Sequence, residues 1–170
     1  MKIIFDQYQI RDWQQSDIPS LAKYANNSNI AMNLRDGFPH PYGEKDAEAF
    51  IERTNALKHS TSFAITTNVE VIGGVGLALR QDIHRFSAEI GYWLAEPYWD
   101  RGIMTNAVRL VCDWAFTEFN LARIFAEPFS ANLASIAVLR KCQFVHEGTS
   151  RKSAYKDSQF IDQEIFALVR

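Results

Sequence analysis

Chemistry concentrates in one stretch, Ala88 to Ala107, where a strand ending near Ala95 passes through a short turn into a long helix beginning near Gly102. The first N–H groups of a helix lack intrahelical acceptors and sit at the positive end of its dipole. Such a terminus is an anion site suited to a pyrophosphate. Gly102 has no Cβ, so a phosphate can approach the backbone closely, and Arg101 adds a positive charge beside it. The same residues also read as a plain strand–helix connection with an N-terminal glycine. Strand alternation puts Glu89, Gly91 and Trp93 on one face and Ile90, Tyr92 and Leu94 on the other. A carboxylate such as Glu89, placed near a cleft, accepts a proton from an amine through water. The competing reading is a solvated strand glutamate.

The elements that must position this stretch follow from hydrophobic periodicity. Ile3 to Trp13 alternates as a strand, and Ser16 offers an N-cap to a helix with Ile18, Leu21, Ala22 and Ala25 on one face. Residues Asn26 to Tyr42 read as irregular. A second helix, roughly Lys45 to Lys58, would bury Ala49, Phe50, Ile51 and Leu57. Strands follow at Ser62–Thr67, Glu70–Arg80 and Ser87–Ala95, the first two joined at a polar Asn68 turn. The helix after Gly102 repeats Ile103, Ala107, Leu110 and Trp114, with Val111 and Ala115 widening the stripe. A strand at Ala122–Glu127, a helix from Asn132 to about Cys142 and a hairpin of Phe144–Tyr155 with Phe160–Val169 complete the chain. This is a mixed α/β order, with a helical front, an antiparallel meander and then strand–helix–strand–helix, so a doubly wound dinucleotide fold is disfavoured. Neither a repeat nor a linker interrupts it, and one domain over residues 1–170 is expected.

Composition narrows the partners. The chain has 170 residues, 47% hydrophobic and 22% charged, with a formal net charge of −2. That balance gives no electrostatic case for nucleic acid or an anionic membrane. No apolar run approaches the roughly 20 residues that span a bilayer, and the first residues do not read as a signal peptide. Cys112 and Cys142 read as buried thiols rather than a disulfide, so a cytoplasmic location is the expectation. His40, His59, His84 and His146 are scattered without ligand spacing, and no metal is expected. Gly73-Gly-Val-Gly76 invites a nucleotide-loop reading, but its apolar surroundings fit a strand in which glycines permit a bulge or close approach.

The run Glu89-Ile-Gly-Tyr-Trp-Leu-Ala-Glu-Pro-Tyr-Trp-Asp-Arg-Gly-Ile-Met-Thr-Asn-Ala-Val108 resembles the acetyl-CoA signature of GNAT acetyltransferases, Gln/Arg-x-x-Gly-x-Gly/Ala. It is closer still to the branch of ribosomal-protein-alanine N-acetyltransferases. Trp99 takes the Gln/Arg position, Gly102 the central glycine and Met104 the last small position. The resemblance continues through Asn132-Leu-Ala-Ser135 to Phe144 and through the terminal hairpin around Ala154-Tyr155 to Asp162, in register over nearly the whole chain. It implies a central, mostly antiparallel twisted sheet flanked by helices, with acetyl-CoA at the end of the central strand. Backbone groups of Trp93, Leu94 and Ala95 would pair with pantetheine in the manner of an added strand. Trp99, Asp100, Arg101, Gly102, Ile103, Met104 and Thr105 would surround the pyrophosphate.

The resemblance also implies direct attack of a primary amine on the thioester. Asn132 would bond the pantetheine arm, or simply cap its helix. Ser135 would protonate the departing thiolate, or sit as a polar residue of a first helical turn. The loop Arg35 to Tyr42 resembles the wall of the acceptor site, which makes Arg35, His40 and Tyr42 candidate substrate contacts; Tyr92 and Tyr155 are weaker ones. A loop kept rigid by Pro39 and Pro41 accounts for the same residues. Two departures stand out: Asp100 replaces the signature's first glycine, and Cys142-Gln143 replaces a glycine before Phe144. The Asp100 carboxylate can cap the helix through the N–H of Gly102 or Ile103, in competition with a phosphate. Two functions follow: an N-acetyltransferase acting on a protein N-terminus or a small amine, or a non-catalytic acyl-CoA sensor of the same fold. A homodimer is a common state in this family, although no segment reads as a dedicated interface.

Overall fold

The N-terminal alternation folds as a hairpin rather than as one strand. In the computed structural model, which describes residues 1–56 and 59–170, β1 (Lys2–Phe5) and β2 (Tyr8–Arg11) pair antiparallel across Asp6 and Gln7. Asp6 has a φ of 47°, a left-handed conformation that Asp tolerates better than most residues. Ser16 does not cap the first helix. It lies in a 3-10 turn, Gln15–Asp17, that leads into α1 (Ile18–Ala25). The Gln14 N–H donates to Asp17 Oδ2 at 2.9 Å, and Arg11 grips both oxygens of that buried carboxylate at 2.7 Å. This two-pronged geometry compensates the desolvated charge.

A short helix, α2 (Ser28–Ala31), interrupts the stretch expected to be irregular, with the Asn27 side chain accepting from the Asn29 N–H at 2.8 Å. The next helix, α3 (Glu44–Asn55), buries Ala47, Ile51 and Thr54. Ala49 is exposed and Phe50 only half-buried, so the buried face is rotated from the expected one; Leu57 and Lys58 lie outside the described residues. Then follow β3 (Ser62–Thr66), β4 (Val71–Leu79), β5 (Ser87–Leu94), α4 (Ile103–Glu118), β6 (Arg123–Ala126), α5 (Leu133–Lys141), β7 (Val145–Lys156) and β8 (Gln159–Val169). The strands hydrogen-bond in the order β1-β2-β3-β4-β5-β6-β8-β7. Among the described pairings β5–β6 is parallel and the rest are antiparallel, so the fold is the mixed α/β arrangement expected.

Two compact units are distinguished. The first comprises Met1–Gly76 and Tyr92–Ala107, the second Leu77–Gly91 and Val108–Arg170. In the first, Trp13, Leu21, Tyr42, Ala47, Ile51 and Val71 belong to one buried cluster, and Phe50 meets Trp13 edge-on at 5.2 Å. In the second, β5 buries Ala88 and Ile90, β6 buries Ile124 and Ala126, and β8 buries Phe166 and Ala167. α4 buries Ile103, Met104 and Ala107 early, then Val108, Val111, Cys112 and Ala115; Leu110 and Trp114 are only half-buried. Cys112 and Cys142 are buried thiols not joined in a disulfide, and burial pushes the Cys112 thiol up to about 12. No helix among the described residues is long and apolar enough to cross a membrane.

Candidate active site

The signature stretch folds as its residue types require. β5 ends at Leu94, a 3-10 turn occupies Glu96–Tyr98, and α4 starts at Ile103. Pro97 at the first turn and positive φ values at Asp100 (58°) and Gly102 (74°) reverse the chain between strand and helix. The Asn106 N–H donates to Gly102 O at 3.1 Å, closing the first helical turn. The N–H groups of Gly102, Ile103 and Met104 therefore precede the intrahelical ladder, at the positive end of a 16-residue helix. A Cβ built on Gly102 would meet nothing within 4 Å, so open space fronts this terminus.

Side chains of the turn are largely engaged with the turn itself. Arg101 donates to Pro97 O at 2.8 Å and lies over the Tyr98 ring at 5.5 Å, so its guanidinium is held on the turn and is not paired with Asp100. Tyr98 in turn stands edge-on to Tyr24, whose hydroxyl donates to Glu70 at 2.8 Å. The Trp99 indole N–H donates to Leu94 O at 2.7 Å. Asp100 is exposed, and its carboxylate makes no bond to the N–H of Gly102 or Ile103 among the described residues. The expected cap is therefore absent, and the competition with an anion reduces to charge repulsion.

Strand pairing decides which backbone groups of β5 face a ligand. The Ala95 N–H donates to Ile72 O at 2.7 Å, and the Trp93 carbonyl lies against Gly73 of β4. Main-chain groups alternate sides along a strand, so Trp93 and Ala95 are turned to β4, while Tyr92 and Leu94 point the other way. Of the three residues Trp93, Leu94 and Ala95, only Leu94 turns its main-chain groups away from β4. Gly73 and Gly74 serve close packing, not a nucleotide. A Cβ on Gly74 would stand 2.9 Å from Trp93 Nε1 and 3.1 Å from Trp13 Cζ2.

In the same unit the loop after α2 brings Phe38 to 5.0 Å from Tyr42 and 5.8 Å from Trp93. Tyr42 is buried, its N–H donates to Asn26 Oδ1 at 3.0 Å, and burial, with Asp46 nearby, pushes its hydroxyl up to about 12. The ring is thus held within the loop, with Phe38 against it. Arg35 and His40 are exposed, and the His40–Pro41 peptide is cis.

In the second unit, Glu89 lies opposite Phe125 in the β5–β6 pairing. Its carboxylate is largely covered and accepts from Arg80 Nη2 at 3.3 Å, while the Arg80 guanidinium lies over the Phe125 ring at 5.2 Å. Glu89 is therefore a fixed, paired carboxylate and not a freely solvated one. No sequence pattern pointed to Arg80. Asn132 caps α5, its Oδ1 accepting from the Ser135 N–H at 3.1 Å. The cap fixes the first turn that carries Ser135. Tyr155 is exposed on β7 and meets the Phe160 ring edge-on at 5.0 Å.

The family model described as an acetyltransferase (GNAT) domain matches residues 8–145. YjcK of Bacillus subtilis (strain 168), named a probable N-acetyltransferase, is 42% identical over 83 residues, 49% of this chain and 46% of that relative, so the match spans about half its length. Spermidine N(1)-acetyltransferase of Escherichia coli (strain K12) is 26% identical over 157 residues, 89% of this chain and 80% of that one. Among solved structures, RimL, a ribosomal α-N-protein acetyltransferase in complex with coenzyme A, superposes with a TM-score of 0.87 at 20% identity. That match covers 98% of this chain and 96% of RimL. The chain belongs to the GNAT acetyltransferase family, in the fold shared with its ribosomal-protein N-acetyltransferases.

Proposed function

We propose that the chain, as one domain over residues 1–170, transfers acetyl from acetyl-CoA to a primary amine by direct attack. One observation carries this reading: β5 runs into a left-handed Gly102 at the N-terminus of α4, with open space where a Cβ would stand. Acetyl-CoA supplies an activated acetyl thioester. The N–H groups of Gly102, Ile103 and Met104 hold the pyrophosphate, and the Leu94 N–H fixes the pantetheine amide. Glu89 takes the ammonium proton through water, and the Ser135 hydroxyl gives a proton to the departing thiolate while regaining one from the nitrogen of the collapsing tetrahedral intermediate. The acceptor is a protein N-terminus, as for the ribosomal α-N-protein acetyltransferase RimL, or a small amine, as for the spermidine N(1)-acetyltransferase.

Ser135→Ala is expected to cut turnover at least ten-fold while leaving the dissociation constant of acetyl-CoA within about two-fold. Steady-state kinetics paired with calorimetry reads both. Equal turnover in the variant removes Ser135 from the reaction.

Asp100 supports a second reading, an acyl-CoA sensor without turnover. A carboxylate beside a phosphate in water costs about 1 kcal/mol at 4 Å. Asp100→Gly is therefore expected to tighten acetyl-CoA binding about five-fold, with no loss of folding, because glycine accepts the 58° φ freely. Unchanged affinity means the carboxylate does not face the ligand. To separate the two functions, acetyl-CoA and a thiol reagent are mixed with peptides, polyamines and simple amines in turn. Acceptor-dependent thiol release identifies the transferase. Tight binding with no release from any acceptor identifies the sensor.

A further inference from the structure

The signature's Gln/Arg position holds Trp99, a residue that cannot place a flexible polar chain on a phosphate. The structure gives its indole another task. Trp99 Nε1 donates to the Leu94 carbonyl at 2.7 Å, reaching back from the turn into the last residue of β5. The Leu94 carbonyl points away from β4, so strand pairing within the sheet does not satisfy it; the indole does. Neighbouring bonds are local to the turn: Tyr98 N–H to Ala95 O at 2.9 Å, Trp99 N–H to Glu96 O at 3.1 Å and Arg101 to Pro97 O at 2.8 Å.

We propose that Trp99 is a positioning residue whose indole N–H, by holding the Leu94 carbonyl, fixes the strand edge relative to the helix N-terminus. Leu94 is left to offer its N–H, and not its carbonyl, to a bound amide. The proposal rests on the assignment of this turn to coenzyme A. A ligand that engages both the strand edge and the helix terminus gains most when the two are held at a set spacing, because its second contact is then intramolecular. A ligand that engages only one of them gains nothing from the strut.

Trp99→Phe keeps an aromatic ring and removes the donor. Calorimetric titrations of wild type and variant use coenzyme A, 3′-phospho-ADP (pyrophosphate without pantetheine) and pantetheine. The variant is expected to bind coenzyme A about five-fold more weakly, the factor one ordinary hydrogen bond carries, and to bind each fragment within about two-fold of wild type. Equal losses for coenzyme A and 3′-phospho-ADP would mean simple damage to the turn and overturn the proposal, as would an unchanged coenzyme A affinity. A second readout uses the wild type alone, and so does not depend on the variant folding. The Trp99 indole N–H is expected to stay protected from solvent exchange when coenzyme A is added, whereas loss of protection overturns the strut. If wild type binds none of the three ligands, the coenzyme A assignment itself falls, and this proposal falls with it.

Discussion

Glu89→Gln is expected to lower turnover by on the order of 10²-fold or more and to abolish the acidic limb of the pH–rate profile. The glutamine keeps the size and one acceptor oxygen of the side chain, so it still fits against Arg80 and Phe125. It cannot take a proton from the amine. Arg80 bears directly on this test, because its 3.3 Å contact and its place over Phe125 hold the carboxylate in one orientation. A purely structural ion pair predicts a different pattern: a lower melting temperature, turnover within about two-fold and the acidic limb intact. Kinetics and thermal unfolding on the same sample distinguish the two. A persisting acidic limb excludes Glu89 as the base.

Gly73→Ala is expected to cost about 2–3 kcal/mol of stability, the range typical of overpacking. For a chain of this size that corresponds to a melting temperature lower by roughly 5–10 °C. The new Cβ would stand 2.6 Å from the Trp93 carbonyl oxygen and 3.2 Å from Leu94 Cα, and backbone atoms cannot swing aside. Either β4 or the end of β5 must move. Because Leu94 is the residue that offers its N–H outward, acetyl-CoA affinity should fall together with stability. Gly91→Ala is the control, since nothing lies within 4 Å of a Cβ there. Differential scanning calorimetry of the two variants reads the contrast, and an unchanged melting temperature for Gly73→Ala would show that the β4–β5 contact yields.

The parts of the fold with long, regular patterns were legible in the sequence. α4 starts, and β5 starts and ends, within a residue of the expected positions, because their apolar periodicities run for two or more turns or pleats. Short-range decisions were not legible. The turn at Asp6 hides inside a stretch that alternates as one strand, and the four-residue α2 is too short to show a period. The buried face of α3 is set by Ala47, Ile51 and Thr54, and a buried threonine carries no hydrophobic signal. At Gln14–Asp17 a partnership with Arg11, six residues before Asp17, outweighs the local capping preference of Ser16.

The candidate site divides in the same way. The strand–turn–helix and the glycine at its apex follow from residue type and spacing alone. Which oxygen the Trp99 indole meets, and that Arg80 meets Glu89, depend on how side chains fold back in space. No spacing rule encodes that. Tyr42 is a further case, because nothing in a polar aromatic beside two prolines reveals that the loop turns it into the core.

The central claim is that the turn from β5 into α4 is where this chain binds acetyl-CoA. Backbone amide resonances of the isotope-labelled wild type, followed through a titration with acetyl-CoA, test it most directly. In the first unit, saturable shifts are expected to be largest at Leu94 and at Gly102, Ile103 and Met104, and small at Trp93 and Ala95, whose groups are turned to β4. Saturation without perturbation of Gly102 to Met104, or the absence of saturable binding at millimolar ligand, would contradict the account.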